Sequence, residues 1–168
     1  AAVLLAGGFG TRMKTRLPKL LLPALGKPVL ARLIEETLKV FEQVFVVLPK
    51  RDEKFDGLYS LVESFEDQGV KIAVQEVMNG TAGAVKAAAS YIKPEIKRVA
   101  IINGDLPALR SEFLEVLTRD EKNMLTVQKR SNPFGYGRVF VDSNKKAKQI
   151  VEQYELDDEQ KKNQLTNL

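Results

Sequence analysis

Short apolar runs alternate with amphipathic stretches along most of the chain, and this alternation limits the fold more than any other feature. A continuous apolar run predicts a short buried strand at Ala2–Leu5, and further strands are predicted at Val44–Leu48, Val70–Val74 and Val99–Ile102. Helical periodicity separates these runs, which predicts βαβ units and a largely parallel sheet. Three later strands are predicted at Leu125–Gln128, Arg138–Val141 and Ala147–Val151. Their shorter connections indicate an antiparallel element near Arg138, so the expected class is α/β with a Rossmann-like, mixed but mostly parallel sheet and flanking helices.

Capping residues locate the predicted helices between these strands. A helical pattern begins at Pro28, and Thr81 is predicted to cap a second helix that runs to about Tyr91. Ser111 is predicted to cap another helix, because a side-chain hydroxyl can accept a hydrogen bond from a free amide of the first turn. The tail after Asp157 is polar and predicted to be weakly helical.

The composition narrows the chemistry. The 168 residues include neither cysteine nor histidine, which excludes disulfides, thiolate catalysis, the commonest zinc ligand and the commonest general base. Chemistry must therefore rest on carboxylates, lysine, arginine, backbone amides and a bound hard metal. No run approaches the about 18 apolar residues of a membrane span, and no basic block marks a nucleic-acid surface. We expect a cytoplasmic protein without a secretory signal.

Three loops are expected to open onto one rim of the sheet. In open α/β sheets ligands bind beyond the carboxyl ends of the strands. The loops after the first, third and fourth predicted strands are Leu5–Arg12, Gln75–Thr81 and Asn103–Pro107. These loops are rich in glycine and polar residues, so the sequence predicts a ligand site where they meet.

The first loop, Leu5-Ala6-Gly7-Gly8-Phe9-Gly10-Thr11-Arg12, has the composition of a phosphate-binding turn. Glycines let backbone amides approach phosphate oxygens, and arginine adds a charged fork. The dinucleotide fingerprint fails because Met13 stands where the third glycine should be, and Gly26-Lys27 is followed by Pro28 rather than by the P-loop hydroxyl residue. The alternative is an ordinary tight strand-to-helix turn.

Further candidates follow along the rim, each with a structural alternative. Lys19 could supply a point charge to phosphates, or be a surface lysine. Gln75 with Gly80-Thr81 could recognise a base, or be a solvent-facing glutamine and a helix cap. Asp105 follows a predicted strand, where its carboxylate could bind Mg²⁺. Alternatively, the carboxylate could accept a hydrogen bond from the backbone of its own turn.

A glycine-rich segment and a carboxylate form a last group of candidates. Asn132-Pro133-Phe134-Gly135-Tyr136-Gly137-Arg138 has two glycines that could admit a ligand against the backbone, or form a hairpin-like turn. Glu152 could accept hydrogen bonds from sugar hydroxyls, or be exposed.

The order and spacing of these motifs resemble the pyrophosphorylase domain of bacterial N-acetylglucosamine-1-phosphate uridyltransferase, within the nucleotide-diphospho-sugar transferase type of fold. The resemblance covers the whole chain and rests on Leu4–Met13, Leu17-Pro18-Lys19, Gln75, Gly80-Thr81-Ala82, Gly104–Pro107, Asn132–Arg138, Ile150-Val151-Glu152, Asp158-Glu159-Gln160 and Asn167. It implies that UTP and N-acetylglucosamine 1-phosphate react to give UDP-N-acetylglucosamine and pyrophosphate. The implied partners are these small molecules, and the implied cofactor is Mg²⁺. Neither nucleic acid nor a membrane is expected as a partner. The chain could also form a homo-oligomer.

The resemblance also implies roles for individual residues. Arg12 and Lys19 would be catalytic, stabilising the triphosphate and the leaving pyrophosphate, and Asp105 would bind Mg²⁺. The nucleotide would be bound by Leu5, Ala6, Gly7, Gly8, Gly10, Thr11, Gln75, Gly80 and Thr81. The sugar would be contacted by Gly104, Gly137, Glu152 and Asn167.

The chain departs from the family pattern at several positions. Ala6-Gly7-Gly8 replaces the usual Ala-Ala-Gly, Phe9 replaces a common basic residue, and Asn103 replaces a common aromatic. We expect one nucleotidyltransferase domain, residues 1–168, that lacks the family's later second metal ligand. Two alternatives stay open: a transferase for another nucleotide and sugar 1-phosphate, and a non-catalytic nucleotide-binding module of the same fold.

Overall fold

The computed structural model describes residues 1–8, 17–119 and 121–167, which form two compact units. The first unit spans Ala1–Arg119. Its strands are β1 Ala2–Leu5, β2 Pro23–Ala24, β3 Lys27–Pro28, β4 Val44–Pro49, β5 Val70–Gln75 and β6 Ala100–Asn103. Its α-helices are α1 Val29–Leu38, α2 Asp56–Glu63, α3 Thr81–Ala89 and α4 Ser111–Thr118.

A parallel four-stranded sheet in the order β5-β4-β1-β6 organises the first unit. All six residues of β4 are buried, because a central parallel strand is covered on both faces and needs apolar side chains throughout. One face packs Leu4, Val46 and Ile34 into the larger core, and the other packs Phe45 against the small residues of α3. The predicted α/β class and the four parallel strands are confirmed.

Both predicted helix caps are wrong. Gly80, not Thr81, occupies the cap of α3 with a φ of 88°, and within the described part of the chain this cap has no side-chain hydrogen bond. A glycine tolerates this left-handed conformation, so the chain can turn sharply into the helix. Ser111 is the first residue of α4, and its amide donates to the Glu36 carboxylate at 2.8 Å. A tertiary contact therefore replaces the local cap.

The short hairpin of β2 and β3 was not predicted. Its two-residue turn has positive φ at both positions, 54° at Leu25 and 82° at Gly26. Such turns match the twist of antiparallel strands and favour Asn-Gly. The sequence signal was missing because leucine rarely adopts this conformation.

The second unit, residues 121–167, contains a small antiparallel sheet. Its strands are β7 Val127–Lys129, β8 Arg138–Val141, β9 Ala147–Val151 and β10 Leu165–Asn167, in the order β7-β10-β8-β9. The antiparallel element near Arg138 is confirmed. The weakly helical tail is partly wrong: a short 3₁₀ turn at Gln160–Lys162 is followed by β10, whose Thr166 is fully buried and donates to the Gln128 carbonyl oxygen at 3.0 Å. Pairing partners, not local pattern, dictate that strand.

Among residues 1–8, 17–119 and 121–167, no helix combines the length and hydrophobicity that crossing a bilayer requires.

Candidate active site

The three predicted loops line a single cavity in the first unit. It has a volume of about 350 Å³ and lies at the carboxyl ends of β1, β5 and β6. Its wall consists of Leu5, Gly7, Gly8, Lys19, Leu20, Gln75, Met78, Gly80, Thr81, Ala84, Asn103, Gly104 and Asp105. The expectation of a shared rim is confirmed, because parallel strands bring their carboxyl ends to one edge. This volume suits a small organic ligand.

An ion pair occupies the polar side of the cavity. Lys19 begins a 3₁₀ turn and Asp105 follows β6, and Lys19 Nζ lies 2.6 Å from Asp105 Oδ2. The Asp105 side chain is 51% exposed and that of Lys19 is 26% exposed. Both charges are therefore accessible from the cavity, and each is neutralised by the other.

Gln75 lies at the opposite, more buried side of the cavity wall and is 4% exposed. Its Nε2 donates to Asn79 Oδ1 at 3.0 Å and to the Gly80 carbonyl oxygen at 3.2 Å. A backbone carbonyl can only accept, so the amide orientation is fixed with its NH₂ group toward Gly80. The interpretation of Gln75 as solvent-facing is wrong.

Asn79 and Met78 are cavity features that the sequence analysis missed. Asn79 fixes Gln75, and it can do so because residue 83 is glycine: a Cβ on Gly83 would lie 1.5 Å from Asn79 Oδ1. Met78 lies beside Gly7, where a Cβ would be 3.1 Å from its Cε. The sequence feature that could have indicated Met78 is Gly7, which stands where the family has alanine.

Gly104 is required by backbone packing. Its amide donates to the Leu5 carbonyl oxygen at 2.9 Å, and a Cβ there would lie 2.6 Å from the same oxygen. The Gly104 amide is thus already used within the fold. Ala6 is 1% exposed, and its amide donates to the Val47 carbonyl oxygen at 3.0 Å, so it packs in the core rather than on the cavity wall.

Three residues predicted to contact sugar lie in the second unit, and two of them touch. A Cβ on Gly137 would lie 3.0 Å from Asn167 Oδ1 and 3.4 Å from the Val151 carbonyl oxygen. Glu152 follows Val151, and its exposed carboxylate has no partner among the described residues. The small sheet therefore gathers Gly137, Glu152 and Asn167. Gly10, Thr11 and Arg12 lie outside the described residues.

The fit of a metal can be judged from the donor set. Within the described chain, no three acidic side chains converge on one point. Asp105 is an accessible carboxylate that accepts a hydrogen bond from Lys19. Mg²⁺ is commonly held by one or two carboxylates plus substrate phosphates, so Asp105 fits as one protein ligand.

Known proteins with similar sequences share this architecture. Residues 2–162 match the MobA-like NTP transferase domain. The chain is 39% identical to the bifunctional protein GlmU of Parvibaculum lavamentivorans over 170 residues, covering 98% of the chain and 36% of that protein. It is 35% identical to the bifunctional protein GlmU of Campylobacter hominis, covering 99% of the chain and 37% of that protein. The chain thus spans little more than a third of the length of these relatives.

A solved structure shows the same fold. A Bacillus anthracis protein described as a glucose-1-phosphate thymidylyltransferase, in complex with sucrose, superposes with a TM-score of 0.69 at 20% identity. The similarity covers 99% of this chain and 68% of that one. Together, the match over residues 2–162 and the cavity at the carboxyl edge of a parallel sheet show that the chain belongs to the MobA-like NTP transferase domain family.

Proposed function

We propose that this chain transfers the uridylyl group of UTP to N-acetylglucosamine 1-phosphate, giving UDP-N-acetylglucosamine and pyrophosphate. The family membership and the similarity to bacterial GlmU proteins support the reaction class. One observation carries the proposal: a single cavity combines a glutamine of fixed orientation with an accessible lysine–aspartate pair. The first suits a base and the second a charged triphosphate.

The orientation of Gln75 supports recognition of uracil. Both Nε2 hydrogens are engaged, by Asn79 and Gly80, which leaves Oε1 as an acceptor beside Gly7. The N3–H of uracil is a donor and complements it. The corresponding ring nitrogens of cytosine and adenine are acceptors, so they would face Oε1 with two lone pairs opposed.

Met78 supports the alternative that the donor is a nucleotide other than UTP. Gly7 replaces the family's alanine, and the Met78 methyl group occupies space that an alanine side chain would contact at 3.1 Å. This reshapes the wall next to Gln75. Thymine and guanine also present an N–H donor, so a thymidylyl or guanylyl transfer is the candidate that this observation favours.

The other side of the cavity is suited to the triphosphate. The backbone at Gly7 and Gly8 can approach phosphate oxygens, and Lys19 can exchange Asp105 for a phosphate as its partner. Arg12 would add a second cation, as the resemblance implies. Asp105 would then be free to hold Mg²⁺, which when bound neutralises negative charge on the phosphate oxygens.

The acceptor would be held by the second unit. Gly137, Glu152 and Asn167 would contact the N-acetylglucosamine moiety, with the Glu152 carboxylate accepting from sugar hydroxyls. A phosphate oxygen of the sugar 1-phosphate attacks the α-phosphorus of UTP in line, and the bond to the bridging oxygen of the β-phosphate breaks to release pyrophosphate. Positioning and charge neutralisation supply the rate enhancement, and no histidine is needed.

A nucleotide panel tests the proposal. The intact protein is mixed with N-acetylglucosamine 1-phosphate, Mg²⁺ and UTP, CTP, ATP, GTP or dTTP, and pyrophosphate release is measured. We expect release with UTP and little with CTP or ATP. Release with dTTP or GTP in place of UTP would favour the alternative substrate. Binding of a nucleotide without release from any pair would reject the transferase and leave a binding module.

A further inference from the structure

We propose that Arg138 is a positioning residue of the acceptor site, which holds the segments carrying Gly137, Glu152 and Asn167 in one frame. The inference rests on the proposed function, because it concerns the residues assigned there to the sugar. It assigns to Arg138 a role that the sequence motif alone did not suggest. Arg138 does not contact substrate; it acts through three neighbouring backbone segments.

The guanidinium bonds oxygens from three separate parts of the second unit. Arg138 Nε donates to the Asn163 carbonyl oxygen at 2.8 Å, and Nη2 donates to Gln153 Oε1 at 3.2 Å. Nη1 donates to the carbonyl oxygen of Tyr136. The three donors sit on three different nitrogens of a rigid plane and so reach acceptors that lie apart, whereas the three donors of a lysine share one nitrogen.

Two of the acceptors adjoin a residue assigned to the sugar, and the third begins the segment that leads to one. Tyr136 precedes Gly137, and Gln153 follows Glu152. Asn163 leads into β10, whose Thr166 pairs with Arg138 itself and whose last residue, Asn167, packs against Gly137.

The glycine loop is also held at its start. The Gly135 amide donates to Gln153 Oε1 at 3.0 Å, the same oxygen that accepts from Arg138. One bonded group therefore connects the loop before Gly137 to the segment after Glu152. Removing the guanidinium would leave this oxygen without one of its two donors and would free the segment after Glu152 from the Arg138 side chain.

The burial of this charge supports a role beyond packing. Arg138 is 2% exposed, and no carboxylate among the described residues pairs with it. Burying an unpaired cation costs free energy, which hydrogen bonds to neutral oxygens offset only in part. An apolar side chain would fill the space without this cost but could not join the three segments.

Steady-state kinetics of the intact protein test the proposal. Arg138→Met and Arg138→Lys remove the fork, and Gln153→Leu removes one acceptor while keeping the arginine. Arg110→Met, at an arginine that is 78% exposed in its side chain, is the matched control. We expect the KM for N-acetylglucosamine 1-phosphate to rise on the order of tenfold to a hundredfold in the Arg138 variants. The KM for UTP should stay within about twofold, since the cavity lies in the first unit.

The outcomes separate positioning from stability. A selective rise in the KM for the sugar phosphate, smaller in Gln153→Leu and absent in Arg110→Met, supports the proposal. Unchanged constants in folded variants overturn it, and so does an equal loss for both substrates in Gln153→Leu. If Arg138→Met does not fold, the KM values of Arg138→Lys and Gln153→Leu for the two substrates test the proposal.

A binding measurement distinguishes failure of the role proposed for Arg138 from failure of the proposed function. Dissociation constants of UTP and UDP-N-acetylglucosamine are measured by calorimetry on the unaltered protein first. Binding of UTP without any of UDP-N-acetylglucosamine would reject the proposed substrate. Equal binding of UDP-N-acetylglucosamine by unaltered and variant proteins would reject only the role of Arg138.

Discussion

The two units are stabilised internally by different interactions. The first has a parallel sheet whose central strand is fully buried, with apolar cores on both faces. The second has an antiparallel sheet in which β7 is exposed along its length, and the first four residues of β9 are exposed as well. Its most buried large side chain is the charged Arg138. Apolar side chains thus cover both faces of the first sheet, whereas the second unit places a hydrogen-bonded arginine among its most buried residues.

This difference shows how each unit can hold its candidate site. Close packing fixes the carboxyl ends of β1, β5 and β6, so the cavity loops start from rigid positions. In the second unit, single polar side chains fix the loops directly. A substitution in the apolar core of the first unit should therefore act through stability, and one at a buried polar contact of the second unit should act through geometry.

Removing core volume should give the largest effect and tests the first half of this contrast. Leu33 in α1 is 1% exposed, and Leu33→Ala should lower the free energy of unfolding by about 2–5 kcal/mol, because lost burial and a cavity add. Leu125→Ala, at a residue 43% exposed in the second unit, should change it by about 0.5 kcal/mol or less. Urea unfolding measures both. A comparable loss in Leu125→Ala would show that the second unit depends on apolar contacts even at a partly exposed position.

Removing the cavity carboxylate should act on turnover without acting on the fold. Asp105→Asn keeps the shape but deletes the proposed metal ligand, so kcat/KM should fall on the order of a hundredfold to a thousandfold. Asp67→Asn, at an exposed position of the same unit, is the control. Both variants should unfold at the same urea concentration as the unaltered protein. Full activity of Asp105→Asn would remove the metal role.

Loosening Gln75 should have a smaller, selective effect. Asn79→Leu removes one of the two acceptors of Nε2, so kcat/KM for UTP relative to CTP should fall by about threefold to tenfold. Gly83→Ala should do the same from the other side, because its Cβ would displace the Asn79 side chain. Asn144→Leu in the second unit is the control. If both variants still discriminate between UTP and CTP, the carbonyl oxygen of Gly80 alone is enough to orient the Gln75 amide.

The smallest effect concerns Glu36, whose carboxylate accepts a hydrogen bond that connects α1 to α4 in the first unit. Hydrogen bonds from Lys39 and from the Ser111 amide lower the pKa of Glu36 from 4.5 to about 2. Since the folded form holds the carboxylate ionised, its stabilisation is complete above pH 4.5 and is lost as the pH falls toward 2. Glu36→Gln should remove about 1 kcal/mol at neutral pH and flatten the stability profile over that range. Glu66→Gln should leave the slope unchanged.

Apolar periodicity made most of the first unit predictable. The strands at Ala2–Leu5 and Val44–Pro49 follow directly from continuous apolar runs, since burial on both faces leaves a strong signal. The meeting of three loops at one rim followed from the parallel arrangement. Gln75 and Asp105 could therefore be assigned to one rim from their loops, whereas Lys19 was added to the site by the family resemblance.

Contacts between distant residues account for what could not be predicted. The cap of α4 comes from Glu36, which lies 75 residues earlier, and β10 forms because β7 and β8 offer pairing edges. Neither leaves a local pattern in the sequence. The orientation of Gln75 likewise depends on Asn79 and on the missing side chain at Gly83, a relation of space that residue types alone do not reveal.

The Lys19–Asp105 ion pair couples the binding of a phosphate to the binding of a cation. A phosphate group that engages Lys19 must displace Asp105, and a cation that engages Asp105 must displace Lys19. Whichever binds first breaks the pair and leaves the other charge unopposed. The two ligands are therefore thermodynamically linked, and each should tighten the binding of the other by the same factor. A nucleotide and its metal would then be taken up together more readily than either alone.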